Sequence, residues 1–261
     1  MCKCEVGVRA STGLLESVHD LSPLFAQTRR FGVGKRLADL ALRSMAGPMF
    51  TGIVAGRFRV VEAIHELGKL ELWVDLQAHA SGIQVGASVA VDGVCLTAVA
   101  CRDGAVRFQV ITETLERTTL GRLVGGSIVN VERSYRVGDE IGGHEVAGHV
   151  IGMGEVSQLL VLPGETAIEV RVPKEWMKYI LSKGFIAIDG ASLTVGETRR
   201  DGALWLHLIP ETLARTTLGL KDVGSQVNVE LDARTVALVD TVERVLDERL
   251  ANLDIRARVE P

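Results

Sequence analysis

The chain has 261 residues, 47% apolar and 24% charged, with a formal net charge of −4. That balance belongs to a folded globular protein and excludes intrinsic disorder. It also argues against a nucleic-acid groove as the main business, and no run of 18 apolar residues is present to cross a membrane.

Residues 1–48 differ from the rest. They hold seven Lys/Arg against four Asp/Glu, net +3, which leaves −7 for the remainder. Their best helical stretch, Arg36 to Met45, is short and basic, and four acids (Glu5, Glu16, Asp20, Asp39) speak against a transit peptide. The segment reads as a dispensable extension, or as a start placed too early with Met49 as the true one. Four cysteines (Cys2, Cys4, Cys95, Cys101) form neither a disulfide framework nor a full zinc set, so a reducing cytoplasm is expected. With 28 glycines and only 4% aromatics, the composition suits short strands and tight turns, as in a barrel or sandwich.

From Met49 onward the chain repeats itself. Glu113-Thr-Leu-Glu-Arg-Thr-Thr-Leu-Gly121 returns as Glu211-Thr-Leu-Ala-Arg-Thr-Thr-Leu-Gly219, with one mismatch and an offset of 98. Gly52-Ile-Val54 answers Gly148-His-Val150, Ala90-Val-Asp-Gly-Val-Cys-Leu-Thr97 answers Ala187-Ile-Asp-Gly-Ala-Ser-Leu-Thr194, and Val129-Asn-Val-Glu132 answers Val227-Asn-Val-Glu230. A tandem duplication follows. In each unit, Val85 to Val99 and Lys183 to Val195 alternate around an Asp-Gly hairpin signal. Val106 to Ile111 and Leu204 to Ile209 read as further strands, each followed by a short helical piece ending at Gly121 or Gly219. Ser127 to Glu132 and Gln226 to Leu231 close the units, and Pro173 to Leu181 reads as a short helix. The expected fold is mostly β: two tandem six-stranded Greek-key barrels, at 49–146 and 147–234. Beyond Asp232, the residues Val239, Val242, Leu246, Leu250 and Leu253 form one apolar stripe on a helix of about 18 residues. It packs on its own barrel or forms an oligomer seam.

No Walker loop, His-Glu-x-x-His or Gly-x-Ser-x-Gly motif is present, and His144 with His149 is a poor zinc pair. The duplicated Cys95/Thr97 and Ser192/Thr194 suit matched pockets for a neutral heteroaromatic ring with polar edges, or are plain turn residues.

The motifs Met49-Phe-Thr-Gly-Ile-Val54, Asp92-Gly-Val-Cys-Leu-Thr97, Gly142-Gly-His144 with Gly148-His-Val150, Lys183-Gly-Phe-Ile-Ala-Ile-Asp-Gly-Ala-Ser-Leu-Thr194 and His207-Leu-Ile-Pro-Glu-Thr212 together resemble riboflavin synthase of the trimeric alpha-chain type. The likeness runs from Met49 to about Leu250. It implies two similar barrels, a C-terminal helix at 235–261 that holds a homotrimer, and no cofactor or metal. It also implies dismutation of two 6,7-dimethyl-8-ribityllumazine molecules to riboflavin and 5-amino-6-ribitylaminouracil, in sites shared between subunits. Carried over, the N-terminal pocket uses Gly52, Ile53, Val54, Cys95, Leu96, Thr97, Gln109, Val110, Ile111, Thr112, Glu113 and Thr114, with Ser88 nearby. The C-terminal pocket uses Gly148, His149, Val150, Lys183, Ser192, Leu193, Thr194, His207, Leu208, Ile209, Pro210, Glu211 and Thr212, with Asp232 at its rim. His149 is the expected base or proton shuttle. Ser192 and Thr194 serve the donor, and Cys95 with Ser88 the acceptor. Ile151 stands where many members carry Asp. The alternative is a non-catalytic lumazine-binding protein of the same fold, which the survival of both motif copies disfavours.

Overall fold

The structure, a computed structural model, describes residues 49–136 and 138–259. The extension at 1–48, with its helix at Arg36 to Met45, lies outside the described residues. The first unit contains β1 (Gly56–Glu66), β2 (Lys69–Asp75), β3 (Ser88–Val91), β4 (Val94–Arg102), β5 (Ala105–Ile111), α1 (Thr112–Arg117) and β6 (Ile128–Arg133). The second repeats it with β7 (Gly152–Leu162), β8 (Glu165–Arg171), β9 (Phe185–Ile188), β10 (Ala191–Arg199), β11 (Ala203–Leu208), α2 (Pro210–Arg215) and β12 (Gln226–Leu231). The helix α3 (Ala233–Val259) follows. Each set of six strands closes into an antiparallel barrel with equivalent neighbours, β1-β2-β5-β4-β3-β6 and β7-β8-β11-β10-β9-β12. Closure removes the exposed sheet edges that would template aggregation.

Strand alternation turns one residue in two inward. Phe58, Leu70, Leu72, Val74 and Phe108 fill the first barrel, and Ile168, Val170, Ile186, Ile188, Leu204 and Leu206 fill the second. The hairpins β1–β2 and β7–β8 are not marked by the sequence cues. The outward row of β1 is charged, and the end of β7 carries the exposed apolar run Leu160, Val161 and Leu162, so neither strand shows a clean period of two. The turn at Lys174–Lys178 is 3-10 rather than α. Gly121 and Gly219 lie inside 3-10 turns instead of ending a helix, because a Cβ there would stand 2.7 Å from Leu115 O and 2.2 Å from Leu213 O. The last helix runs for 27 residues rather than 18. Its Arg-, Asp- and Ala-rich continuation contains no Gly or Pro to stop it.

The two Asp-Gly turns meet where the barrels join. Asp92 and Gly93 have φ of 44° and 79°, and Asp189 and Gly190 have φ of 45° and 81°. Positive φ at both central positions is what a type I′ hairpin requires. A Cβ on Gly93 would lie 2.6 Å from Gly190 N, so only glycine allows this approach. Around it, side-chain amides stitch barrel to barrel: Asn130 Nδ2 donates to Asp189 O and Asn228 Nδ2 to Asp92 O, both at 2.8 Å. Thr119 N and Thr217 N donate to Asn228 Oδ1 and Asn130 Oδ1 at 2.8 and 2.7 Å. The symmetry of this junction fails beside Asp189. Lys221 Nζ sits 2.8 Å from the buried Asp189 carboxylate, whereas the matching position beside Asp92 is the apolar Leu123. No helix among the described residues is long and apolar enough to cross a membrane.

Candidate active site

The segment leading into each barrel crosses to the other one. Phe50 and Val146 pair as an antiparallel bridge, with N–H···O distances of 2.7 and 2.9 Å. Beyond it, Gly52 O accepts from Ser192 N at 2.8 Å, and Gly148 O accepts from Cys95 N at 3.0 Å. Both glycines have left-handed φ (+72° and +77°), and a Cβ on either would lie 2.5 Å from the Cβ of Ser192 or Cys95. No other residue fits. The grouping therefore differs from the expected one: Gly52, Ile53 and Val54 belong with Ser192, and Gly148, His149 and Val150 with Cys95.

Two buried glutamates hold these crossings. Glu132 Oε1 accepts from Thr51 N and Oγ1 at 2.6 and 2.7 Å. Glu230 accepts from Ala147 N and Gly148 N at 2.7 and 3.0 Å. Burial pushes the Glu230 carboxyl up to about 7, with the backbone amides pulling the other way, and raises Glu132 likewise. Sequence reasoning missed both as site supports. The signal was there: a Glu repeated at the same strand position in both Val-Asn-Val-Glu copies.

The first site lies on the outer face of β3, β4 and β5. Cys95 and Ser88 are half-buried, and Thr97, which pairs with Ser88 across the strands, is exposed with Gln109 and Ile111. Leu96 and Val110 turn into the core and offer only backbone to a ligand, as Val54 does at the second site. Burial pushes the Cys95 thiol up, against the hydrogen bond with Ser88. It is therefore a neutral hydrogen-bonding group at physiological pH and not a thiolate nucleophile. His149 is exposed beside it. Thr112 Oγ1 is taken by Gly68 O at 2.8 Å, and Glu113 pairs with Arg117 on the surface of α1. Thr114 O accepts from Thr118 Oγ1, so these three residues shape the turn.

The second site repeats this face on β9, β10 and β11, with Ser192 and Leu193 half-buried and Thr194, Lys183, His207 and Ile209 exposed. Leu208 is buried. Pro210 opens α2, Glu211 pairs with Arg215, and Thr212 O accepts from Thr216. Lys183 holds φ of +67°, a conformation a non-glycine residue rarely keeps without cause. The site has one partner that the first lacks. His144 is buried, stacks on Phe185 at 5.1 Å and 14°, and places Nδ1 2.6 Å from Ser192 Oγ. Burial lowers the His144 pKa and Asp232 opposes this, so the ring is neutral near pH 7. In the tautomer with Nδ1 bare the Ser192 hydroxyl donates to it, and in the other Nδ1–H donates to Ser192 Oγ. Sequence reasoning quoted His144 in a motif but gave the role of base to His149. Asp232 accepts from Thr235 N and Oγ1 at 2.9 and 2.6 Å, capping α3 at the cleft beside His144.

Each site thus offers strand backbone, two small hydroxyl or thiol groups and exposed apolar side chains (Ile111 at the first; Ile53, Phe185 and Ile209 at the second). That is a platform for a flat heterocycle with polar edges. Among the described residues no cluster of His, Cys, Asp or Glu could hold a metal ion.

Comparison with known proteins gives the family. The lumazine binding domain model matches residues 51–134 and again 147–232. The chain is 47% identical over 203 residues to riboflavin synthase of Escherichia coli K12, covering 77% of this chain and 95% of that protein. It is 43% identical to riboflavin synthase of Chlamydia muridarum, covering 77% and 99%. Its fold is similar to the crystal structure of LumP complexed with riboflavin, with a TM-score of 0.66 and 24% identity over 70% of this chain and 99% of that one. The chain belongs to the riboflavin synthase family, with the lumazine binding domain present twice.

Proposed function

We propose that this chain forms riboflavin by dismutating two molecules of 6,7-dimethyl-8-ribityllumazine, one giving up a four-carbon unit and leaving as 5-amino-6-ribitylaminouracil. One observation carries the reading: the whole edge-recognition device is built twice, Gly52 on Ser192 and Gly148 on Cys95. A reaction between two copies of one substrate needs two such platforms, and holding them face to face supplies much of the rate through proximity and orientation. The second site, with Ser192 hydrogen-bonded to a neutral imidazole, suits removal of the acidic 7-methyl proton from the donor. The first, with neutral Cys95 and Ser88, suits the acceptor, and exposed His149 suits proton shuttling.

The functional units are the barrels at 49–146 and 147–234, with 235–261 as the assembly helix of a cytoplasmic homotrimer. Each active site then comprises the first platform of one subunit and the second of another. The exposure of Ile53, Ile111, Phe185 and Ile209 in the single chain supports this, because a partner's platform would cover them.

Incubating the full chain with 6,7-dimethyl-8-ribityllumazine alone tests the reaction. One riboflavin formed for two lumazines consumed supports the dismutase. Tight binding without turnover would make the chain a lumazine-binding protein. Neither binding nor turnover would overturn the reading of the site.

A further inference from the structure

Beside each platform lies a cleft, and the two clefts are equivalents in the duplication. Ser88, Ser134 and Arg136 line the first, of about 300 Å³, and Phe185, Asp232 and Arg234, 97 or 98 positions later, line the second, of about 460 Å³. Equivalent in place, they are opposite in charge. The second holds the carboxylates of Asp232 and Glu145 against the single Arg234, which is itself paired with Glu145. The first holds Arg133 and Arg136 and no carboxylate. Glu132, Asp139 and Glu140 line the larger neighbouring cleft, which also contains both arginines, but Glu132 is held by Thr51 and Asp139 accepts from the Arg136 backbone N–H at 2.8 Å. Arg133 is aimed by two carbonyls, with Nη1 donating to Ser81 O at 2.7 Å and His79 O at 3.3 Å, which orient the guanidinium without neutralising it. Ser134 and Gln84 add neutral hydrogen-bonding groups.

A paired guanidinium site lined by hydroxyls is the chemistry that receives a phosphate monoester. A carboxylate in the equivalent position repels one. We propose that the first platform accepts ribityl ligands phosphorylated at the 5′-hydroxyl, with Arg136 and Arg133 holding the phosphate, and that the second platform, with Asp232 and Glu145, excludes them. This rests on the functional reading above and names what it adds: a phosphorylated flavin occupies half of the active site and blocks the acceptor lumazine. The enzyme is then restrained by a phosphorylated form of its own product, while the unphosphorylated product fits both platforms.

The test is a fluorescence titration of the full chain with riboflavin and, separately, with riboflavin 5′-phosphate. The phosphate ester is expected to fill one site per chain, at least fivefold more tightly than riboflavin fills it. Arg136→Glu should weaken the ester tenfold or more while changing riboflavin less than twofold, and Ser134→Asp, which copies the charge of the second cleft, should do the same. An ester that fills two sites per chain, binds more weakly than riboflavin, or responds to both variants only as riboflavin does would overturn the proposal and leave the dismutase reading standing. Riboflavin itself failing to bind would overturn both.

Discussion

The two imidazoles of the site, His144 and His149, differ by burial, and that decides what each can do. His144 is locked between Phe185 and Ser192, so its contribution is a positioned hydrogen bond. His144→Phe keeps a ring on Phe185 and removes that bond. Turnover should fall about tenfold or more, with the unfolding midpoint little changed. His149→Ala should also slow turnover at least about tenfold with the assembly intact. Unchanged turnover would remove His149 from the mechanism. A second residue-scale effect comes from the buried acids. Burial lifts Asp92, with the Asp189 charge adding to it, above the ordinary carboxylate range, and lifts Glu132 and Glu230 in the same direction. An acid with a raised native pKa keeps its proton after the unfolded chain has lost it. Its stabilisation is therefore full in acid and is lost as pH rises from about 4.5 to the native value, about 7 for Glu230. Urea unfolding should show a more stable protein at pH 5.5 than at pH 8. Asp92→Asn keeps an acceptor for Asn130 N, bonded at 2.7 Å, and tolerates the positive φ. It should flatten that slope, and an unaltered slope would clear Asp92 of the effect.

At the scale of elements, the crossing segments are the parts that cannot be moved. Gly52→Ala forces a left-handed alanine, costing about 1 kcal/mol, and drives its Cβ to 2.5 Å from that of Ser192. A total loss of about 2 to 4 kcal/mol is expected. Gly164→Ala is the control, since Gly164 has the same sign of φ (+85°) but open space around it. It should cost only about 1 kcal/mol. Equal losses in the two variants would show that the crossing is not the constraint. The same segments mark how far the sequence could be read. The duplication, the Asp-Gly hairpins and the closing strands were legible because each leaves a local pattern: turn residues at fixed offsets and a period of two. Which barrel Gly52 touches was not legible, because the contact spans 140 positions and is set by the Phe50–Val146 bridge and the paired turns. His144 was hidden for the same reason. Its partner Ser192 is 48 residues away, and nothing beside His144 announces burial.

At the scale of the whole molecule, α3 is tied down near its start and bare along much of its length. Tyr179 OH donates to Asp240 Oδ1 at 2.6 Å, and Lys178 Nζ lies 2.5 Å from Glu243 Oε2. Leu238, Val242, Val245, Leu246 and Leu250 stand in solvent, all at least 44% exposed. Val242, Leu246 and Leu250 step by fours along one face, which is how a helix presents a stripe to another helix. Burying these side chains is worth roughly 1.5 to 3 kcal/mol each, so a lone chain has a strong drive to associate through this face. The platforms carry their own exposed apolar residues, and in the proposed assembly they close on one another, which couples assembly to catalysis. Leu246→Asp places a charge in the middle of the stripe and replaces neither Asp240 nor Glu243, which hold Tyr179 and Lys178. Sedimentation should then find a monomer with unchanged strand content, and lumazine turnover should vanish although each platform is intact. A monomer that still makes riboflavin would mean that both platforms of a single chain meet on their own, and a trimer unaffected by the charge would mean that the seam runs elsewhere than along α3.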